Sequence, residues 1–127
     1  MTDKKILYIE DNYENRILVR RVLEVEGYTV LEAADGLAGI RLADSEKPAL
    51  ILMDINLPEV DGYEVTARLR QNAALSHVPI VALTANVLKG DRERSLAAGC
   101  DGYIQKPIDV DLLPGQIAAF LREGRSR

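Results

Sequence analysis

The chain alternates five short apolar runs with longer segments of helical character, and this alternation restricts its fold more than any other feature. Near-continuous apolar runs such as residues 50–53 are typical of parallel strands that helices cover on both faces. Parallel strands require crossover connections, which are nearly always right-handed. We therefore expect an α/β domain with a doubly wound, five-stranded parallel sheet, most naturally in the order 2-1-3-4-5. The predicted strands cover residues 6–10, 28–33, 50–54, 78–84 and 103–105.

The first segment of helical character runs from about residue 15 to residue 26 and carries apolar residues at the spacing of one helix face. Leu18, Val22 and Val25 form this face, which we predict to pack against the sheet. Gly27 follows the segment and supplies a helix stop.

The last segment of helical character has a second apolar stripe that we also predict to pack against the sheet. We predict that Asp111 caps its N-terminus, that Pro114 lies in its first turn, and that Gly124 ends it. The stripe consists of Leu113, Ile117, Phe120 and Leu121.

Length and composition limit the class of protein. The 127 residues fit a single domain over residues 1–127, and we expect no attached output domain. A formal net charge of −4 argues against general attraction to nucleic acid or an anionic membrane, so the partners are expected to be proteins. The chain starts without the apolar stretch of a signal peptide, and the single Cys100 cannot form an internal disulfide. These features predict a cytoplasmic protein without membrane insertion.

Four of the predicted strands lead into reactive side chains. Glu10 and Asp11 lie at the end of the first strand, Asp54 ends the third, Thr84 ends the fourth, and Lys106 follows the fifth. The carboxyl ends of parallel strands meet at one edge of a sheet, where open α/β sheets bind their ligands. Because the first and third strands are neighbours in the predicted order, we expect Asp11 and Asp54 to meet there.

The converging acids predict a metal site. Clustered carboxylates repel one another and raise each other's pKa values unless a cation neutralises them. Carboxylate oxygens without a nearby set of Cys or His ligands favour Mg²⁺, for which Mn²⁺ could substitute. A phosphoryl group suits the same edge, since Mg²⁺ and the Lys106 ammonium would both neutralise its charge.

Each of these residues also has a local explanation. Glu10 and Asp11 could serve helix capping, and Asp54 could be a polar residue between a strand and a loop. Lys106 could be a surface lysine at a turn, and Thr84 a β-branched residue that ends its strand. Independent local explanations do not predict the joint arrangement at four strand ends, so we favour the functional interpretation.

The segments IED, LILMDINLPEVDG, PIVALTA and the terminal KP carry a family resemblance. The chain resembles the receiver domain of bacterial two-component response regulators over almost its whole length. It is similar to stand-alone receivers, which include cell-division and chemotaxis regulators, and receivers inside hybrid kinases look similar too. The resemblance implies a doubly wound, flavodoxin-like (βα)5 sandwich.

The resemblance also implies roles for the residues at the sheet edge. Asp54 would be the phosphoacceptor, and Asp11 and Asp54 would bind Mg²⁺ through their carboxylates. Glu10 would act nearby through metal-bound water, and Asn56 would contribute its backbone carbonyl to the metal. Lys106 would pair with the charge of the phosphoryl group.

A conformational switch is implied as well. Thr84 would hydrogen-bond a phosphoryl oxygen, Tyr103 would change position on activation, and the Lys106–Pro107 peptide bond would be cis. The changed surface would be formed by the fourth helix, the fifth strand and the fifth helix. The phosphodonor would be a sensor histidine kinase or a histidine phosphotransfer protein, and the target a downstream protein. We expect a monomer that catalyses its own phosphorylation and dephosphorylation but is otherwise not an enzyme.

Three alternatives remain open at this point. A phosphatase of the haloacid dehalogenase type also uses an aspartyl nucleophile, but its motif has another Asp where Asn56 stands, and Asp54 follows the third strand rather than the first. A phosphorylation-independent interaction module is disfavoured by the intact set of Asp54, Thr84 and Lys106. A nucleotide-binding protein is weaker still, because the chain has neither a phosphate-loop motif nor a glycine-rich dinucleotide turn.

Overall fold

Five parallel strands form a single sheet in the order β2-β1-β3-β4-β5. The structure is a computed structural model, and it describes residues 4–55, 57, 61–84 and 98–124. The strand order and the parallel pairing confirm the doubly wound prediction. The strands are β1 Lys5–Ile9, β2 Thr29–Ala33, β3 Leu50–Asp54, β4 Ile80–Thr84 and β5 Gly102–Gln105.

Four α-helices lie in the described part of the chain and connect or follow the strands. They are α1 Tyr13–Val25, α2 Gly36–Glu46, α3 Gly62–Gln71 and α4 Leu113–Glu123, and a short 3₁₀ helix covers Ala73–Leu75. The predicted helix between the fourth and fifth strands falls on residues 85–97, which lie outside the described residues. No helix of the described ranges combines the length and the apolar character needed to cross a membrane.

The sheet separates two apolar layers, as the near-continuous apolar strands predict. One layer packs α2 and α3 against the sheet through residues such as Leu7, Met53 and Val65. The other packs α1 and α4 against the opposite face, with Tyr8 and Leu52 among its buried members. Because side chains alternate along a strand, residues two apart share a layer, and this alternation later decides which polar groups meet.

The strand boundaries differ slightly from the predicted ones for reasons in the hydrogen bonding. Tyr28 N donates to Leu23 O and closes the end of α1, so β2 begins one residue later. Val78 N donates to Leu75 O, which makes a turn before β4 begins at Ile80.

The face that α1 turns toward the sheet is not the predicted one. Val19 and Leu23 are buried and Val22 packs against them, whereas Leu18 is 43% exposed and Val25 is 83% exposed. Apolar residues occupy two overlapping stripes on this helix, and the spacing alone does not decide which stripe faces inward. The prediction was therefore right for Val22 and wrong for Leu18 and Val25.

The start of α4 also corrects the sequence interpretation. Asp111 is not the N-cap, because the cap is Leu112 and makes no side-chain hydrogen bond. The carboxylate that accepts from this turn belongs to Asp109, which receives the backbone N–H groups of Asp111 and Leu112 at 2.9 and 3.3 Å. Pro114 lies in the first turn and Gly124 caps the other end, both as predicted.

The predicted stripe of α4 is confirmed. Leu113 and Ile117 are buried, and Phe120 and Leu121 are partly buried against the same layer. The stripe holds the C-terminal helix against β5 and its neighbours.

Arg70 joins several elements at the amino ends of β4 and β5. Its guanidinium donates to Gly99 O at 3.0 Å, to Leu75 O at 3.0 Å and to Val78 O at 2.7 Å. It also pairs with Asp101 at 2.5 Å, and Asp101 in turn accepts from Ile80 N at 2.9 Å. This network ties α3 to the beginnings of both strands and lies at the opposite edge from the predicted site.

Candidate functional site

The register between β1 and β3 brings Glu10 and Asp54 together. Tyr8 pairs with Leu52 and Ile9 pairs with Met53, so the next residues along, Glu10 and Asp54, emerge side by side at the carboxyl edge. β1 ends at Ile9, one residue earlier than predicted, yet Glu10 N still donates to Ala33 O at 2.9 Å. Glu10 is 1% exposed and Asp54 is 2% exposed, which places two buried carboxylates next to each other.

Lys106 reaches both buried carboxylates from the end of β5. Its ammonium nitrogen lies 3.0 Å from Asp54 Oδ1 and 3.9 Å from Glu10 Oε1. The backbone holds the lysine in place, since Lys106 N donates to Thr84 O at 2.8 Å. The Lys106–Pro107 peptide bond is cis, the geometry that the resemblance implied. A single ammonium group therefore balances part of the charge of two buried acids.

Asp11 completes a cluster of three acids. One carboxylate oxygen from each of Glu10, Asp11 and Asp54 lies within 4.8 Å of the others. Asp11 is exposed while the other two are buried, so the cluster opens to solvent on the side of Asp11. The three hard oxygen donors suit Mg²⁺, which is commonly held by one or two carboxylates together with water and phosphate. The residues present therefore fit the predicted metal.

The electrostatics of Glu10 show how crowded this cluster is. Burial, a hydrogen bond with Asp54 and the negative charge of Asp54 raise the pKa of Glu10 from 4.5 to about 7. The Asn12 backbone N–H and the Lys106 charge oppose this rise. Two carboxylates that share a site cannot easily both be ionised, and a divalent cation would offset the repulsion between their charges.

Two residues that the sequence interpretation missed support the acidic loop. Tyr8, fully buried, donates its hydroxyl to Glu10 Oε1 at 3.0 Å. Arg16 donates to the backbone oxygens of Glu10 and Asp11 at 2.7 and 3.1 Å. It also pairs with Glu32 of β2 at 3.3 Å. Tyr8 could have been found from its two-residue spacing to Glu10 in an otherwise aliphatic strand, but Arg16 binds backbone groups that leave no sequence signal.

The first turn of α3 lies directly against the end of β3. Gly62 N donates to Ile55 O at 3.3 Å. A Cβ on Gly62 would come within 2.7 Å of Ile55 Cα and 2.9 Å of Asp54 O, so only glycine permits this approach. The approach fixes the backbone that follows Asp54.

The remaining predicted residues differ in how far the structure places them. Thr84 ends β4 opposite Gln105 and is buried, next to the strand that carries Asp54. Tyr103 lies two residues before Gln105 on β5 and packs partly buried against the layer of α2 and α3. Asn56 lies outside the described residues, so the predicted binding of its backbone carbonyl to the metal stays a prediction. Cys100 is buried, and burial raises the pKa of its thiol to about 11.

Comparison with protein families decides the identity of the chain. Residues 6–118 match the family described as response regulator receiver domain. The chain belongs to that family. This receiver domain has its three acids, its buried threonine and its lysine at the carboxyl edge of the sheet, where the predicted strand order places them.

Curated relatives and solved structures agree with this assignment. The receiver is 43% identical over 118 residues to the polar-differentiation response regulator DivK of Brucella anthropi, which covers 93% of this chain and 96% of the relative. Chemotaxis protein CheY4 of Vibrio cholerae has a TM-score of 0.89 at 26% identity and covers 93% of this chain and 98% of its own.

A third similar protein bears on the metal. The receiver domain of sensor histidine kinase PA1611 from Pseudomonas aeruginosa is 38% identical, with a TM-score of 0.86 over 95% of this chain and 99% of its own. That structure has a magnesium ion coordinated in its active site cleft. Receiver domains thus bind Mg²⁺ in an acidic pocket and act as phosphorylation-activated switches in two-component signalling.

Proposed function

We propose that Asp54 of this receiver accepts a phosphoryl group from phosphohistidine and that the modification changes a protein-binding surface. The observation that carries the proposal is the position of Asp54, buried between Glu10 and the ammonium of Lys106 at the carboxyl edge of the sheet. A carboxylate is a weak nucleophile, so transfer needs positive charge on the phosphoryl oxygens and an attacking oxygen held in line.

The side chains around Asp54 divide this task. Asp11 and Asp54 would bind Mg²⁺ directly through their carboxylates. Glu10 would hold water molecules bound to the metal, and the Asn56 backbone carbonyl would add a further ligand. When bound, the metal neutralises charge on the phosphoryl group and orients it. Lys106 would move from Asp54 Oδ1 to a phosphoryl oxygen as the new bond forms. As the bond between an Asp54 oxygen and phosphorus forms, the phosphorus–nitrogen bond of phosphohistidine would break, and its electron pair would stay on the imidazole of the donor.

The signal would pass through Thr84 and Tyr103. Phosphorylation adds about −1.5 to −2 charge and new acceptor oxygens, to which the Thr84 hydroxyl could donate. Tyr103 is only partly buried on the neighbouring strand and could fill the space that Thr84 leaves. We propose that this change alters a surface that includes β5 and α4, and thereby the affinity for a downstream protein. The helix that the sequence predicts between β4 and β5 would belong to the same surface, but it lies outside the described residues.

A groove beside Lys106 offers a docking place for the donor. It is lined by Asn15 and Leu18 of α1 and by Lys106, Pro107 and Ile108 after β5. The exposed Leu18, which the sequence interpretation assigned to the core, lies at this groove. We propose that a sensor histidine kinase or a histidine phosphotransfer protein packs here and presents its phosphohistidine to Asp54.

We propose that residues 1–127 act as a single receiver domain in the cytoplasm, as a monomer that binds other proteins. Intrinsic dephosphorylation of Asp54 would reset the switch.

Beryllofluoride, which mimics an acyl phosphate, tests the switch. We expect NMR shifts not only around Asp54 but also at Thr84, at Tyr103 and along α4 when beryllofluoride and Mg²⁺ are added together. Asp54→Asn should abolish all of them. Shifts confined to the residues next to Asp54 would contradict the switch, although they would leave phosphoacceptor chemistry intact.

The other functional classes give different results. An interaction module independent of phosphorylation would bind its partner equally with and without beryllofluoride. An aspartyl phosphatase would turn over small phosphate esters many times per chain, whereas a receiver would carry the phosphoryl group on Asp54 until intrinsic dephosphorylation releases it.

A further inference from the structure

Tyr8 is a polar residue in the middle of an aliphatic strand and has no exposed surface. It lies in the apolar layer of α1 and α4 together with Ile6 and Leu52. A buried phenol hydroxyl needs a hydrogen-bond partner, and here the hydroxyl donates to Glu10 Oε1 at 3.0 Å. Phenylalanine would fill the same volume without this requirement, so packing alone does not account for the hydroxyl.

The contact follows from strand geometry. Residues two apart on a strand share one side of the sheet, so Tyr8 stands directly behind Glu10 on the side where Asp54 and Lys106 lie. The aromatic ring extends the reach of the hydroxyl along the strand to the acid. Glu10 is therefore approached from the core by an uncharged donor and from β5 by the ammonium of Lys106, whose nitrogen lies at 3.9 Å.

The two oxygens of Glu10 are held by different groups. Oε1 accepts from the Tyr8 hydroxyl, and Oε2 accepts from the Asn12 backbone N–H at 3.3 Å. Asn12 is the N-cap of α1, so this second bond orients the carboxylate relative to the helix. Together the two donors fix the plane of the Glu10 carboxylate beside Asp11 and Asp54.

We propose that Tyr8 is a positioning residue of the metal site: its hydroxyl holds the Glu10 carboxylate in the orientation that supports Mg²⁺ bound by Asp11 and Asp54. The inference rests on the proposed function, because it assumes that this cluster binds Mg²⁺. Donors behind the metal ligands fix ligand orientation, and their loss typically lowers metal affinity about 10–100-fold. Since Glu10 acts through water, we expect the low end of this range.

The test is the Mg²⁺ affinity of Tyr8→Phe, measured by NMR titration of the full chain with MgCl₂. We expect the dissociation constant to rise about 10-fold, with the fold intact by circular dichroism. Tyr28→Phe is the matched control, because Tyr28 packs against the same apolar layer and its hydroxyl makes no hydrogen bond among the described residues. Its dissociation constant should equal that of the wild type.

A double-mutant cycle distinguishes positioning from a general packing effect. If Tyr8 acts through Glu10, then Tyr8→Phe should change the Mg²⁺ affinity of the Glu10→Ala variant by less than about 2-fold. An equal loss in both backgrounds would overturn the inference, because the effect would then not depend on Glu10. Unchanged affinity of Tyr8→Phe would overturn it as well.

The proposed metal site and the role of Tyr8 fail in different ways. If the wild-type chain binds no Mg²⁺, the proposed metal site is wrong and the role of Tyr8 falls with it. If the wild type and Tyr8→Phe bind Mg²⁺ equally, only the role of Tyr8 is wrong.

Discussion

Lys106 Nζ lies 3.0 Å from Asp54 Oδ1, so the cation that would meet a phosphoryl group already pairs with the acid that would receive it. The same nitrogen is 3.9 Å from Glu10 Oε1. Before phosphorylation, Lys106 therefore balances part of the charge of two buried acids. In the proposed reaction, a contact between Lys106 and a phosphoryl oxygen would replace this pairing.

Removal of this cation should affect both stability and chemistry. We expect Lys106→Met to lower the free energy of unfolding in EDTA by about 1–3 kcal/mol, because it leaves the buried Asp54 carboxylate without the hydrogen bond that Lys106 donates. It should also slow phosphorylation by acetyl phosphate. Urea denaturation and intact mass measure the two effects.

Lys5→Met is the matched control for that variant. Lys5 pairs with Glu46 at 2.8 Å, but both side chains are about 40% exposed, at 42% and 39%. Its removal should change stability by less than about 1 kcal/mol and leave phosphorylation unchanged. Equal destabilisation by the two substitutions would contradict the role given to Lys106.

The raised pKa of Glu10 makes the metal-free protein sensitive to pH. Its folded pKa is about 7 against an ordinary value of 4.5, so between these values the folded state binds more protons than the unfolded state. The contribution of this pKa shift to the stability of the folded state is fully present below about pH 4.5 and is lost as the pH rises through about 7. We expect wild-type stability in EDTA to fall over this range relative to Glu10→Gln, which cannot ionise at this position.

Mg²⁺ should reverse this trend. A proton on Glu10 competes with the metal, so the Mg²⁺ affinity of the wild type should increase as the pH rises through about 7.

The metal-free prediction has its own contradicting result. If the stability of the wild type and of Glu10→Gln in EDTA changed in parallel with pH, Glu10 would not titrate in this range.

Arg70 supports the fold away from the site. Because its guanidinium binds three backbone carbonyls and Asp101 while only 12% exposed, Arg70→Met should lower the free energy of unfolding by about 2–4 kcal/mol. Arg68→Met is the matched control, because it removes only an exposed pair with Glu64 and should lower the free energy of unfolding by less than about 0.5 kcal/mol. Thermal or urea denaturation measures both effects. Equal losses of stability in the two variants would contradict the stabilising role given to the Arg70 network.

A substitution in the docking groove should affect phosphorylation by a protein donor but not phosphorylation by acetyl phosphate. Leu18→Glu places a charge at the groove beside Lys106 without touching the acids. We expect kcat/KM for phosphotransfer from a histidine phosphotransfer protein to fall about 10-fold, equivalent to about 1.4 kcal/mol. Phosphorylation by acetyl phosphate, which needs no protein docking, should be unchanged.

Val25→Glu is the control for docking, because Val25 is on the same helix, is 83% exposed and lies outside the residues that line the groove. Its phosphotransfer rate should match the wild type. A loss with acetyl phosphate as well as with the protein donor would indicate that Leu18→Glu disturbs the site itself.

The sheet order and the convergence at its edge could be predicted because apolar runs and parallel crossovers leave few arrangements. The positions of Asp54 and Lys106 follow from that order alone. The inward face of α1 could not be predicted, since Leu18 and Val19 belong to overlapping stripes and only packing chooses between them. The cap of α4 was misassigned to Asp111 because the carboxylate that accepts backbone N–H groups in this turn belongs to Asp109, two residues earlier.

The supporting groups of the site were harder to predict than its acids. Arg16 binds the carbonyls of Glu10 and Asp11, and no side-chain pattern identifies a contact made to the backbone. The two-residue spacing between Tyr8 and Glu10 indicates a shared side of the strand, but an aromatic residue in a strand is usually interpreted as part of the apolar core. Residues that hold a site in place thus emerge from the structure, whereas those that perform its chemistry are visible in the sequence.

The central claim is that Asp54 accepts a phosphoryl group, and intact mass after incubation with Mg²⁺ and acetyl phosphate tests it most directly. We predict one phosphoryl adduct of about 80 Da on the wild type, none with EDTA, and none on Asp54→Asn, whose amide cannot attack phosphorus. An adduct of equal yield on Asp54→Asn would contradict the account, because the phosphoryl group would then reside on another residue.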